Sequence, residues 1–149
     1  MTSMAWLSLG ANIGADPAAQ VLAAVEKIDA AEEIRVTRQS SLMITKPWGK
    51  LDQPDFANLA IEIETTLKPL ELLDILQAIE LEMGRVRVEV WGPRVIDIDI
   101  IAYDQIEMNT PRLTLPHPHA HERDFVLTPL AEIAPDVSRL LTSGTARTH

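Results

Sequence analysis

No cysteine occurs among the 149 residues, so neither disulfides nor thiolate metal sites are possible. That absence fits a reducing compartment. Basic residues are also in deficit: 13 Lys and Arg stand against 22 Asp and Glu, a formal net charge of −9. Nucleic acid and anionic membrane surfaces both demand a basic face, so neither is expected as the main partner. No apolar run approaches the roughly 18 residues of a membrane span. The first basic side chain is Lys27, whereas a secretory signal begins with a basic region. Together these absences leave the cytoplasm as the expected location.

The familiar nucleotide signatures are missing too. Gly49-Lys50 lacks a phosphate-loop glycine at position 44, which is Ile44, and no G-x-G-x-x-G occurs. "GANIG" (10–14) follows a strand pattern and precedes a helix pattern, which is the ordinary setting of a turn. There is no internal repeat, low-complexity tract or linker.

What is present is ordinary for a globular chain: 46% hydrophobic and 23% charged residues. The length favours one domain over 1–149 and suffices to bury roughly 70% of the unfolded surface. "MAWLSL" (4–9) reads as a buried strand. Asp16 before Pro17 is a capping side chain ahead of a first-turn proline, and Val21, Leu22, Val25 and Ile28 follow at helical spacing. "IRVTRQSSLMIT" (34–45) alternates as a strand, and "FANLAIEIETT" (56–66) does so again with Leu59, Ile61 and Ile63 on one face. A second helix opens at Pro69, keeps its apolar period through Leu70, Leu73, Leu76, Ile79 and Met83, and stops at Gly84. "VIDIDIIAY" (95–103) is the last long strand, and a short helix is expected near 126–134. The order strand, helix, strand, strand, helix, strand points to an α+β, ferredoxin-like β-α-β-β-α-β sandwich, with two helices on one face of a mainly antiparallel sheet.

The last strand carries two aspartates. Alternate residues share a face and successive ones rise about 3.3 Å, so Asp97 and Asp99 point the same way while Ile96, Ile98 and Ile100 point towards the helices. Aspartate is depleted in strands, and paired like charges repel unless something neutralises them. Carboxylates without thiolates suit a hard cation such as Mg²⁺, which keeps waters and substrate phosphates as further ligands. Arg85, Arg87, Arg94, Arg112 and Arg123 flank the strand, and guanidinium forks match phosphate oxygens. Salt bridges to surface carboxylates remain the alternative for each arginine. "GRVRVEVWGPR" (84–94) has glycines near both ends and a Trp91 that could stack on a flat ring, the makings of a lid. "PHPHAHERDF" (116–125) spaces His117, His119 and His121 alternately; its prolines favour a loop over a zinc site. On residues alone, a metal-dependent phosphohydrolase and a non-catalytic ligand-sensing module stay open beside a phosphoryl transferase.

Four blocks, "LSLGANIG", "QPDFANLAIEIET", "IELEMGRVRVEVWGPRVIDIDII" and "RLTLPHPHAHERDFVLTPLAEIAP", taken together resemble the 6-hydroxymethyl-7,8-dihydropterin pyrophosphokinases of folate biosynthesis. They run in the family's order and reach to about Asp136. The resemblance implies transfer of a diphosphate from ATP to the pterin's hydroxymethyl group, with release of AMP and the help of two Mg²⁺ held by Asp97 and Asp99. It implies catalytic roles for Arg85, Arg94, Asp97 and Asp99. It places Gln77, Glu80, Arg87, Trp91, Arg94, Ile100, Arg112, Thr114, His117 and Arg123 about ATP. For the pterin it points to Thr45, Pro47, Phe56, Asn58, Trp91, Asp97 and Phe125, with Asn12 in support. Small-molecule substrates and a monomer follow.

The chain departs from the family pattern at Thr45-Lys46-Pro47-Trp48-Gly49, where Thr-Pro-Pro-x-Gly is frequent. It has Phe56 where many members have Tyr, and Pro118 where some have an aromatic. The tail from about 138, "SRLLTSGTARTH", is poorly matched, and disorder is expected near its end.

Overall fold

The computed structural model describes residues 2–11, 16–45, 56–84 and 96–147. Strand β1 (Ser3–Ala11) leads to helix α1 (Pro17–Ala30), then β2 (Ile34–Gln39), β3 (Met43–Thr45) and β4 (Phe56–Thr65). Helix α2 (Pro69–Glu82) and strand β5 (Asp97–Tyr103) follow, then a small hairpin, β6 (Met108–Asn109) and β7 (Thr114–Leu115). A 3-10 turn at Ala120–Glu122, α3 (Asp124–Ile133) and α4 (Pro135–Arg147) complete the described chain.

Strand order is β2-β4-β1-β5, with β3 also paired to β4, and every pairing is antiparallel. This is the topology that the alternating patterns lead one to expect. The strand expected over 34–45 is interrupted at 40–42, because Ser40 turns its hydroxyl into the ladder and accepts from the Ala60 N–H at 2.9 Å. Residues on either side still pair with β4, Gln39 with Ile61 and Met43 with Asn58.

Local chemistry sets the helix ends. The Asp16 carboxylate accepts from the Ala19 N–H at 3.0 Å ahead of Pro17, satisfying a first-turn donor. Glu71 folds back to the Lys68 N–H at 2.8 Å and starts α2 in the same manner. Gly84 takes φ of 140° just past α2, a conformation open to glycine and costly for other residues.

The sheet's two faces are occupied differently. On one, Leu7, Leu9, Leu59, Ile61, Ile98 and Ile100 meet Val21, Ile28, Leu72 and Leu76 of α1 and α2 in the main core. Leu22, expected on that face of α1, is exposed instead, and Ala24 is buried. The opposite face is not left to solvent. Trp6, Ala60 and Ile101 pack there against Val126, Leu130 and Ile133 of α3 and Leu141 of α4.

The start of the tail adds to that second cluster. Residues beyond 138 continue α4 to Arg147. The helix starts on Pro135, and its Val137 and Leu141, one turn apart, join this cluster, with α4 packed mainly on α3 and the 3-10 turn.

Candidate active site

Past the apolar patch of α3 and α4, the same face of the sheet turns polar. Cross-strand pairing sets two rows side by side there. One runs Met43, Asn58, Gly10, Asp97 across β3, β4, β1 and β5; the other runs Ala60, Ser8, Asp99. Asp97 is exposed and Asp99 half-buried, so both carboxylates share a face, as strand parity requires. Ile98 between them is in the main core.

Asn58 is only 7% exposed, and its carboxamide oxygen reaches over Gly10 of the neighbouring strand. Such a group at the edge of a polar patch is suited to receive a ligand. Ser8, also buried and polar, stands beside Asp99. The residue-by-residue expectations had passed over it, although its parity with Trp6 and Gly10 in "WLSLG" placed it on this face.

Elements beyond the sheet bring further residues to β5. The main-chain N–H of His117 donates to the Ile101 carbonyl at 2.8 Å and pins segment 116–123 along that strand. His117 accepts at Nδ1 from the His119 N–H at 3.1 Å, which leaves the proton of the neutral ring on Nε2. Burial lowers the His117 pKa from its usual value; the charge of Asp99 opposes this, and Arg123 and His119 reinforce it. Arg123 also lies over the Phe125 ring, 5.8 Å from its centroid. Arg112, in the turn of the β6–β7 hairpin, reaches back to α2 and donates to Asp74 at 2.7 Å and Gln77 at 3.3 Å. Thr114 is half-buried on β7.

Two of the expected nucleotide positions, Glu80 and Ile100, have buried side chains. Glu80 is 5% exposed, and its carboxylate accepts from the Ile98 N–H at 2.8 Å. The helix thus uses Glu80 to fasten the edge strand that carries both aspartates. Ile100 is 2% exposed within the main core, so its side chain faces the helices and not the polar face. Thr45 and Phe56 pair at the end of the β3–β4 ladder, Thr45 half-buried and Phe56 exposed. Arg85, Arg87, Trp91, Arg94, Pro47 and Asn12 lie outside the described residues.

Two carboxylates without sulfur ligands fit Mg²⁺ as a donor set. No set of three His, Asp or Glu suited to a metal occurs among the described residues, the three spaced histidines included. A cation on Asp97 and Asp99 must therefore draw its other ligands from water and phosphate, which is the habit of Mg²⁺.

A family model for 7,8-dihydro-6-hydroxymethylpterin-pyrophosphokinase (HPPK) matches residues 6–135. The chain belongs to the HPPK family. It is 51% identical over 133 residues to the 2-amino-4-hydroxy-6-hydroxymethyldihydropteridine pyrophosphokinase of Methylorubrum extorquens, covering 89% of this chain and 84% of that one. It is 45% identical over 137 residues to the protein of the same name from Pseudomonas aeruginosa, covering 92% and 84%. Among solved structures, a Plasmodium falciparum HPPK-DHPS crystal structure superposes with a TM-score of 0.71 over 91% of this chain. This chain spans 40% of the length of that one, and at 16% identity the likeness concerns the fold alone. The HPPK fold is therefore α+β, with an antiparallel sheet between two helical layers in this chain.

Proposed function

We propose that this chain transfers a diphosphate from ATP to 6-hydroxymethyl-7,8-dihydropterin, the HPPK step of folate biosynthesis. The observation that carries the reading is the Asn58–Gly10–Asp97 row. It sets the carboxamide of Asn58 on the same polar face as two paired carboxylates. An acceptor held at Asn58 then has its reactive end beside the groups that hold the donor's phosphates.

Roles follow from placement. Thr45, Phe56, Asn58 and Phe125 bind the pterin, together with Pro47 and Trp91. Gln77, Arg112, Thr114, His117 and Arg123 bind ATP, with Arg87. His117 offers Nε2–H to a phosphate oxygen. Asp97 and Asp99 hold Mg²⁺, of which the full site takes two. When bound, the ion cancels phosphate charge and aligns the transferring group. Arg85 and Arg94 complete charge cancellation at the phosphates.

The reaction is an in-line displacement. The hydroxymethyl oxygen bonds to the β-phosphorus, the bond from that phosphorus to the α,β-bridging oxygen breaks, and that oxygen departs with AMP. The hydroxyl proton passes to water, and Asp97 orients the hydroxyl for the attack. Positioning and electrostatics suffice for such chemistry, without a covalent intermediate.

The test is to incubate the protein with ATP, Mg²⁺ and the hydroxymethylpterin and separate AMP, ADP and phosphate. AMP appearing only with the pterin, in equal amount to a pterin diphosphate, is the expected result. Free phosphate from ATP without pterin would instead mean hydrolysis.

A further inference from the structure

Between Asn58 and Asp97 in the cross-strand row stands Gly10, a residue with no side chain in the middle of a strand. Its backbone does not require glycine, because Gly84 is the one glycine with positive φ among the described residues. Its surroundings do. A Cβ built on Gly10 would lie 2.5 Å from Asn58 Oδ1 and 3.6 Å from Asn58 Cγ, with the next neighbour, the Ala57 carbonyl oxygen, at an ordinary 3.8 Å. The obstacle is thus the far end of one side chain. That side chain is the Asn58 carboxamide, assigned above to the pterin.

We propose that Gly10 is a positioning residue for the acceptor substrate. By leaving the centre of the row bare, it lets the Asn58 carboxamide lie across β1 on the side of Asp97. The amide's location fixes where the polar edge of a flat heterocycle sits relative to the metal-holding carboxylates. The inference rests on Asn58 binding the pterin and deepens that assignment.

Neighbouring strands are about 4.8 Å apart, so Asn58 and Asp97, two strands from each other, flank a slot roughly two strand spacings wide. Any side chain at position 10 would rise into that slot. It would push the amide back over β4 and narrow the floor between the acceptor's anchor and the phosphate end.

The experiment compares Gly10→Ala, Asn58→Ala and the double variant of the intact enzyme. Steady-state kinetics are measured for each substrate, with equilibrium binding of a non-hydrolysable ATP analogue and thermal melting alongside. Gly10→Ala is expected to raise KM for the pterin roughly tenfold, the size of one well-placed hydrogen bond. Binding of the ATP analogue stays near the unmodified value. Asn58→Ala has a similar effect, and the double variant is no worse than Asn58→Ala, because both act through one amide.

Gly10→Ala with unchanged pterin KM, alongside a raised KM for Asn58→Ala, would overturn the role of Gly10 and leave the pterin assignment standing. Effects that multiply in the double variant would also overturn it. If Asn58→Ala leaves pterin KM unchanged, the assignment of Asn58 fails and the inference fails with it. Should Gly10→Ala lower the melting temperature, the double variant must recover it, since it removes the obstructing atoms; no recovery would count against the inference.

Discussion

A single aspartate offers the sharpest test of the proposed cation site. Asp97 is exposed at the start of β5, so shortening it disturbs little packing while halving the carboxylate pair. Asp97→Ala is expected to lower Mg²⁺-dependent turnover by roughly 10²-fold or more, as loss of transition-state charge stabilisation does, with the melting temperature nearly unchanged. Turnover equal to that of the unmodified enzyme would remove the metal assignment.

His117 permits a prediction of opposite kind, about stability. Burial is the chief cause of its lowered pKa, so the unfolded chain takes up this proton more readily than the folded one. Its contribution to stability is therefore fully present above the ordinary value of 6.5 and lost as pH falls through the lower folded value. Melting His117→Gln beside the unmodified protein, from about pH 8 to about pH 5 in the range where histidine titrates, should show a smaller acid-side loss in the variant. Equal losses would show that this ring does not drive the dependence.

Among the elements, the joint between α2 and β5 matters most for the site. β5 is an edge strand of the sheet, and Glu80 fastens its Ile98 N–H from α2. Removing the acceptor leaves a buried donor unsatisfied, so Glu80→Ala should cost about 1–3 kcal/mol, read by urea denaturation. Glu80→Gln keeps an acceptor oxygen and should retain much of the stability. A Glu80→Ala protein as stable as the parent would dismiss the joint. Before the structure, the family resemblance alone placed Glu80 about the nucleotide, one turn from Gln77. Its spacing from Leu73 and Leu76 sets it on the buried face of α2, but only the packing of that helix on the sheet edge brings its carboxylate to the Ile98 N–H.

Across the whole molecule, the two helical layers divide the work. α1 and α2 build the main core, and α3 with α4 cover the apolar part of the opposite face. The polar remainder of that face holds Ser8, Asn58, Asp97 and Asp99. Since α4 acts through Leu141, buried at 8% exposure, Leu141→Ala should lower stability by about 2 kcal/mol with kcat for the transfer retained. Chemical denaturation alongside an activity assay checks both halves, and an unchanged midpoint would mean that α4 packs without consequence.

The sequence by itself determined the strand and helix order, both helix starts, the inward face of each strand and the common face of Asp97 and Asp99. Each of these follows from periodicity, capping or parity, which act between residues close in the chain. Only the tertiary structure decided that the Glu80 carboxylate takes the Ile98 N–H, that the chain from Pro135 runs on as a helix, and that Gly10 lies between Asn58 and Asp97. Those outcomes depend on register and packing between segments tens of residues apart. One β1 residue meets β4 on one side and β5 on the other, and no local pattern records which atoms of its neighbours need the space it leaves empty.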